Sequence, residues 1–129
     1  MLKPLILVSL ISFLAIACSG KNELVLNPAD FETKLKATSN AVLLDVRTAE
    51  EYKIGHIGDA TLNIDYRSAD FAEKISKLDK QKTYFVYCRT AKRSASAIEI
   101  MKQQGFKRLY DLEGGIVAWG KAAKPISKD

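Results

Sequence analysis

Two stretches of the chain are apolar almost without interruption and have the length of strands: "AVLLDV", Ala41 to Val46, and "TYFVY", Thr83 to Tyr87. Such runs, unlike alternating ones, predict strands covered on both faces. Shorter runs, "ELVL" after residue 22, "ATLNI" after residue 59 and "RLYDL" after residue 107, predict three more strands. Amphipathic segments lie between them. Asn27 followed by Pro28 reads as a cap and first turn of a helix reaching Lys36. Thr48 and Glu51 have capping-box spacing and predict a short helix ended by Gly55. Ser68 is expected to cap a helix through about Leu78. Beyond Cys88 a helix starting near Arg93 shows Ala97, Ile100 and Met101 on one face and Gly105 at its end, and "GGIVAWGKAA" predicts a turn and a last short helix. This alternation predicts an α/β layer fold, a largely parallel central sheet flanked by helices. Ligands of such sheets gather at the carboxyl ends of the strands, where Asp45 and Cys88 both fall.

The amino terminus departs from this pattern. "MLK" supplies one positive charge and "PLILVSLISFLAIA" follows without any, which predicts an export signal. Leu5 to Ala17 is shorter than the roughly 20 apolar residues of a membrane span. "LAIAC" ends in a small-x-small cleavage pattern and resembles a bacterial lipoprotein signal, with Cys18 at the lipidated position and Ala15 where that motif usually has leucine. The expected organisation is a signal peptide over 1–17, a lipidated Cys18 and short tether over 18–23, and one domain over 24–129. Its place would be the cell envelope, anchored to a membrane and facing the periplasm.

Composition narrows the function. The 129 residues suit one domain, and the net charge of +5 comes from lysines and arginines interleaved with fifteen acids, so nucleic acid is not an expected partner. One histidine and one cysteine outside the signal cannot form a tetrahedral metal site, and neither metal nor cofactor is expected. With Cys18 lipidated, Cys88 has no disulfide partner and remains a free thiol in an oxidising compartment, as expected of a thiol kept for its reactivity.

The loop "CRTAKRS" is the candidate chemistry. If a strand ends at Cys88 and a helix begins near Arg93, the residues between must curl back with their N–H groups toward the sulfur, an anion-binding nest. The helix terminus and the charges of Arg89, Lys92 and Arg93 act in the same direction, so the thiol is expected to ionise below its reference of about 8.5. The competing reading is a structural cysteine beside a solvated basic loop. Arg47 and Glu51, four apart, read as an ion pair that steadies the loop; Asp45 either orients the cradle or caps a turn. His56 reads as part of a tight turn in "GHIG", and Trp119 with Gly114 and Gly115 as core packing.

With these residues in place, the chain from about Leu24 to Lys121 resembles a single-domain rhodanese, a sulfurtransferase. "LLDVRTAEEYKIGHIGDATLNI" is similar to the family's first signature through Asp45, Arg47, Glu51, Tyr52, Gly55, His56 and Ile57; "YCRTAKRS" to its active-site loop; and "LEGGIVAW" to its closing Gly-Gly and Trp119. The resemblance implies a rhodanese-like three-layer fold and a persulfide mechanism. Cys88 would take a sulfur from an anionic donor, thiosulfate or a persulfide, and pass it to a thiol acceptor. Arg89, Thr90, Ala91, Lys92 and Arg93 would form the cradle, with Asp45, Arg47, Glu51 and Ser94 supporting it. Ala91 replaces a frequent loop glycine, so a positive φ there would be strained. The C-x4-R spacing of Cys88 and Arg93 differs from the C-x5-R of phosphatases sharing the fold. The alternative of another class is a rhodanese-like docking module that binds a partner protein.

Overall fold

The computed structural model describes residues 24–59 and 61–128, so the predicted signal and Cys18 lie outside the described residues. The elements run β1 (Val25–Leu26), α1 (Pro28–Ala37), β2 (Ala41–Asp45), α2 (Ala49–Ile54), β3 (Leu62–Asn63), α3 (Phe71–Ser76), β4 (Thr83–Tyr87), α4 (Lys92–Gln103), β5 (Leu109–Leu112) and α5 (Gly115–Lys121). The strands form one five-stranded sheet in the order β1-β5-β4-β2-β3, with every pairing parallel. The expected α/β architecture is the one observed.

The apolar runs are explained by the two faces of the sheet. Side chains alternate along a strand, so Tyr84 and Val86 of β4 join Leu44, Ile75, Ala97, Ile98 and Met101 on the side of α3 and α4. Phe85 and Tyr87 join Phe31, Leu112 and Trp119 on the side of α1 and α5. A strand buried on both sides leaves polar residues only at its ends, Asp45 on β2 and Thr83 on β4, where each is hydrogen-bonded. Phe31 and Phe85 meet edge to face with centroids 5.4 Å apart, and Trp119 meets Phe31 at 6.2 Å.

Local sequence chemistry sets most helix ends. Asn27 Oδ1 accepts from the Asp30 amide at 2.9 Å, with Pro28 in the first turn of α1. Thr48 and Glu51 form the reciprocal capping box of α2, Gly55 following at its C-cap. The third helix corrects the expectation: it begins at Phe71 and ends at Ser76, and its cap position is Asp70, which makes no side-chain capping bond. Ser68 instead closes a turn, its amide donating to the Asp65 carbonyl at 3.1 Å and its hydroxyl donating to the Asp70 carboxylate. A hydroxyl engaged by the neighbouring acid is not available to the first helical amides.

Candidate active site

Cys88 follows the last residue of β4, at the carboxyl end of the sheet, and is 1% exposed. The chain then turns through Arg89, Thr90 and Ala91 before α4 begins at Lys92. The carbonyls of Cys88 and Arg89 accept from the amides of Ile116 and Val117 at 2.9 and 3.2 Å, which fastens the outside of the turn to α5. Across a planar trans peptide the N–H points opposite the C=O, so the amides of Arg89 and Thr90 face away from α5. The Ala91 amide donates to Cys88 Sγ at 3.0 Å, and the Ser94 hydroxyl lies 3.4 Å from the same sulfur. Beyond it, Lys92, Arg93 and Ser94 occupy the first turn of α4, whose amides have no acceptor within the helix.

Ala91 carries the positive φ that its place in the loop requires, 84°. A left-handed conformation costs an L-residue about 1–2 kcal/mol, part of which glycine regains at the expense of chain entropy. Ala91→Gly should raise the unfolding free energy in urea by about 0.5–1 kcal/mol. An unchanged or lowered midpoint would mean that the alanine is unstrained.

The supporting residues pair differently from the sequence expectation. Arg47 does not bind Glu51. Its Nη2 and Nε reach the Asp45 carboxylate at 2.6 and 3.1 Å, its amide donates to Asp45 Oδ1 at 2.8 Å, and Nη2 also donates to the Gly55 carbonyl at 2.7 Å. The reason is position: Arg47 precedes the Thr48 cap, outside the helical turn on which an i,i+4 pair would form. Both Asp45 and Arg47 are buried, and Asn63 Nδ2 donates to the carbonyls of both. Tyr87, under the Arg47 guanidinium, donates no proton easily, because burial and then Asp45 raise its pKa.

Glu51 is instead held by Arg93 of α4, bidentately, at 2.7 and 2.9 Å. Arg93 is therefore a clasp between α2 and the start of α4, its charge offset, rather than a free cation. Arg89, Thr90 and Lys92 are the exposed side chains of the loop. The hydrogen bonds from Arg93 lower the Glu51 pKa to about 2 against burial, with Thr48 adding to the effect. A depressed carboxylate stabilises the fold above its unfolded pKa of about 4.3 and loses that contribution as pH falls through the folded value. Stability should thus decline by about 1–3 kcal/mol between roughly pH 4.5 and 2, discounted for partial exposure. Urea titrations should show that share of the decline missing in Glu51→Gln; an equal acid slope in both proteins would contradict the clasp.

His56 is 1% exposed. Its ring stacks on Tyr52 at 4.0 Å with Nδ1 3.1 Å from the Tyr52 carbonyl, and its backbone bridges to Ser127. It fixes the turn after α2 to the carboxyl-terminal segment. Trp119 is buried, with Nε1 donating to the Pro125 carbonyl at 2.9 Å.

The sequence reading gave Gly115 only a packing role and passed over Asp111. Gly115, φ 62°, passes so close to the loop that a Cβ there would stand 2.3 Å from the Arg89 carbonyl oxygen. Asp111 is 4% exposed on β5. Its signal was available, since an acid two positions after Leu109 in "RLYDL" must share the buried face of that residue.

Residues 27–122 match the family model described as the rhodanese-like domain. The chain belongs to this family. The rhodanese-like domain is 36% identical over 100 residues to YtwF of Bacillus subtilis, a protein bearing a sulfurtransferase name, covering 78% of this chain and 93% of that one. A sulfurtransferase of Allochromatium vinosum is 33% identical over 105 residues, covering 79% and 95%. The chain spans only about a quarter of MoeZ of Mycobacterium tuberculosis, named as an adenylyltransferase/sulfurtransferase, at 36% identity over 100 residues and 78% of this chain. Among solved structures, a rhodanese-related protein from Thermoplasma volcanium superposes with a TM-score of 0.71 at 32% identity, covering 81% of this chain and 98% of that one.

Proposed function

We propose that this rhodanese-like domain is a sulfurtransferase that carries sulfur as a persulfide on Cys88. The observation that carries the reading is the Ala91 amide donating to Cys88 Sγ at 3.0 Å, inside a turn whose outward carbonyls are bound to α5. A turn whose amides face inward stabilises anionic sulfur in both the thiolate and the persulfide. Arg89 and Lys92, exposed beside the turn, supply the field that draws in an anionic donor. The names carried by two similar proteins, 93% and 95% of whose length is covered, support the same class.

The reaction runs in two displacements. The Cys88 thiolate attacks the outer sulfur of thiosulfate or a persulfide; a new S–S bond forms as the old one breaks, and sulfite or a thiolate departs with the electron pair. An acceptor thiolate then attacks the outer sulfur of the Cys88 persulfide and restores the Cys88 thiolate. Donor and acceptor never meet, so initial rates of sulfite release with thiosulfate and a small thiol should give parallel double-reciprocal lines. Inertness toward thiosulfate, polysulfide and persulfide donors alike would favour the docking module.

We also propose that the protein is exported and held in the cell envelope by a lipid on Cys18, on the strength of the charge and apolar pattern of residues 1–20. The mass of the amino-terminal peptide from membrane-extracted protein tests this: acyl chains on Cys18 support it, and an unmodified peptide beginning there contradicts it.

A further inference from the structure

Behind the cysteine loop lies a buried acid that the two displacements do not use. Asp111 pairs in register with Val86 of β4, and Cys88 stands two residues beyond Val86 on the same face of the sheet. That face is covered by α4, whose first turn places Ser94, fully buried, against the Cys88 sulfur at 3.4 Å. The Asp111 carboxyl interacts with this same hydroxyl, and its Oδ1 has no hydrogen-bond partner among the described residues. An orphaned carboxylate oxygen in a buried site is costly unless the group holds a proton or has one within reach.

We propose that Asp111 is a positioning residue for Cys88: its carboxyl sets whether the Ser94 hydroxyl donates its hydrogen bond to the reacting sulfur or to Asp111. The proposal deepens the sulfurtransferase reading and rests on it only in making Cys88 the reacting group. A hydroxyl has one proton to donate, and the Ala91 carbonyl, 3.1 Å from Ser94 Oγ, is the acceptor from which the sulfur and Asp111 must draw it. When Asp111 is protonated it can donate to Ser94 Oγ, leaving the Ser94 proton for the sulfur anion. When Asp111 is ionised, its carboxylate draws the Ser94 proton away from the sulfur. No covalent bond changes, and the only proton exchanged with solvent is that of the carboxyl.

Few other groups act on this acid. Burial raises its pKa to about 6, while the Ser94 hydroxyl and the Leu112 amide pull it back. β1 faces it with backbone, the Leu24 carbonyl accepting from the Asp111 amide at 2.7 Å. β4 brings Val86 and Cys88; α4 brings Ser94 and Ile98, with the charge of Lys92 exposed and that of Arg93 taken by Glu51. Glu113, two residues along the chain, is exposed. The switch therefore falls where this carboxyl titrates, at about 6.

The test is the pH profile of Cys88 alkylation by iodoacetamide in the full chain, a readout that needs no sulfur donor. The wild-type profile should carry a step where Asp111 titrates, at about 6, that is missing from Asp111→Asn, and Asp111→Asn should react about 3–10-fold faster at pH 7. In a Ser94→Ala background the same substitution should change the rate less than twofold, because the connecting hydroxyl is gone. Superimposable wild-type and Asp111→Asn profiles would overturn the proposal, as would an equal effect with and without Ser94, or a gain in stability above pH 6 with no change in alkylation. Should Asp111→Asn fail to fold, a carbon-13 titration of the Asp111 carboxyl serves instead: its midpoint should rise by about one pH unit in Ser94→Ala, and an unmoved midpoint overturns the link. A protein that shows the Asp111 effect but accepts no sulfur refutes the sulfurtransferase reading alone.

Discussion

Cys88→Ser is expected to release no sulfite from thiosulfate, a loss of at least about a thousandfold in rate, while remaining folded. The serine hydroxyl is close in size to the thiol and inherits two partners already in place, the Ala91 amide and the Ser94 hydroxyl. The cost in stability should therefore stay below about 2 kcal/mol. Chemistry is lost for a different reason: at neutral pH a serine hydroxyl is not ionised, and no histidine lies against it to remove the proton, since His56 is occupied in the turn with Tyr52 and Ser127. Sulfite release that persisted in the serine variant would place the sulfur carrier elsewhere.

Gly115→Ala should lower the rate by roughly a hundredfold through a purely structural route. The added Cβ would lie 2.3 Å from the Arg89 carbonyl oxygen, 2.4 Å from its carbon and 2.6 Å from the Cys88 carbonyl oxygen. All three are backbone atoms, so no side chain can swing aside. The positive φ of 62° adds strain. Together these should cost about 3–5 kcal/mol in urea unfolding. The relief available is to push the loop off α5, which breaks the bonds from Ile116 and Val117 that hold its carbonyls outward. A displacement of about 1 Å at the sulfur corresponds to roughly a hundredfold in rate. Gly120→Ala is the control, for it lies in the same helix with nothing within 4 Å of its added Cβ; it should be neutral or gain up to about 1 kcal/mol. Equal behaviour of the two alanine variants would mean that α5 does not shape the loop.

The sheet was legible because β2 and β4 are buried on both faces, and no polar alternation could hide them. The edge strands were legible only in place: β1 and β3 pair over two residues each, where the sequence showed longer runs. Caps that use a local hydroxyl or amide, Asn27 and Thr48, could be read directly; Ser68 misled because Asp70 competes for its hydroxyl. At the site, the loop and its cysteine follow from a strand-to-helix turn rich in cations. Partners distant in sequence do not follow: Arg93 meets Glu51 across 42 positions, and Arg47 turns to a buried Asp45 rather than along a helix. The role of Gly115 depends on an approach between backbones that no spacing rule expresses, so it read only as part of a closing turn.

The central claim is that the loop between β4 and α4 receives and surrenders one sulfur atom at Cys88. Its most direct measurement is the mass of the Cys88 peptide after the full chain is incubated with thiosulfate and then with a thiol. One added sulfur on Cys88 in the first step and its disappearance in the second is the predicted result. A peptide mass unchanged by thiosulfate, polysulfide and persulfide donors would contradict the account.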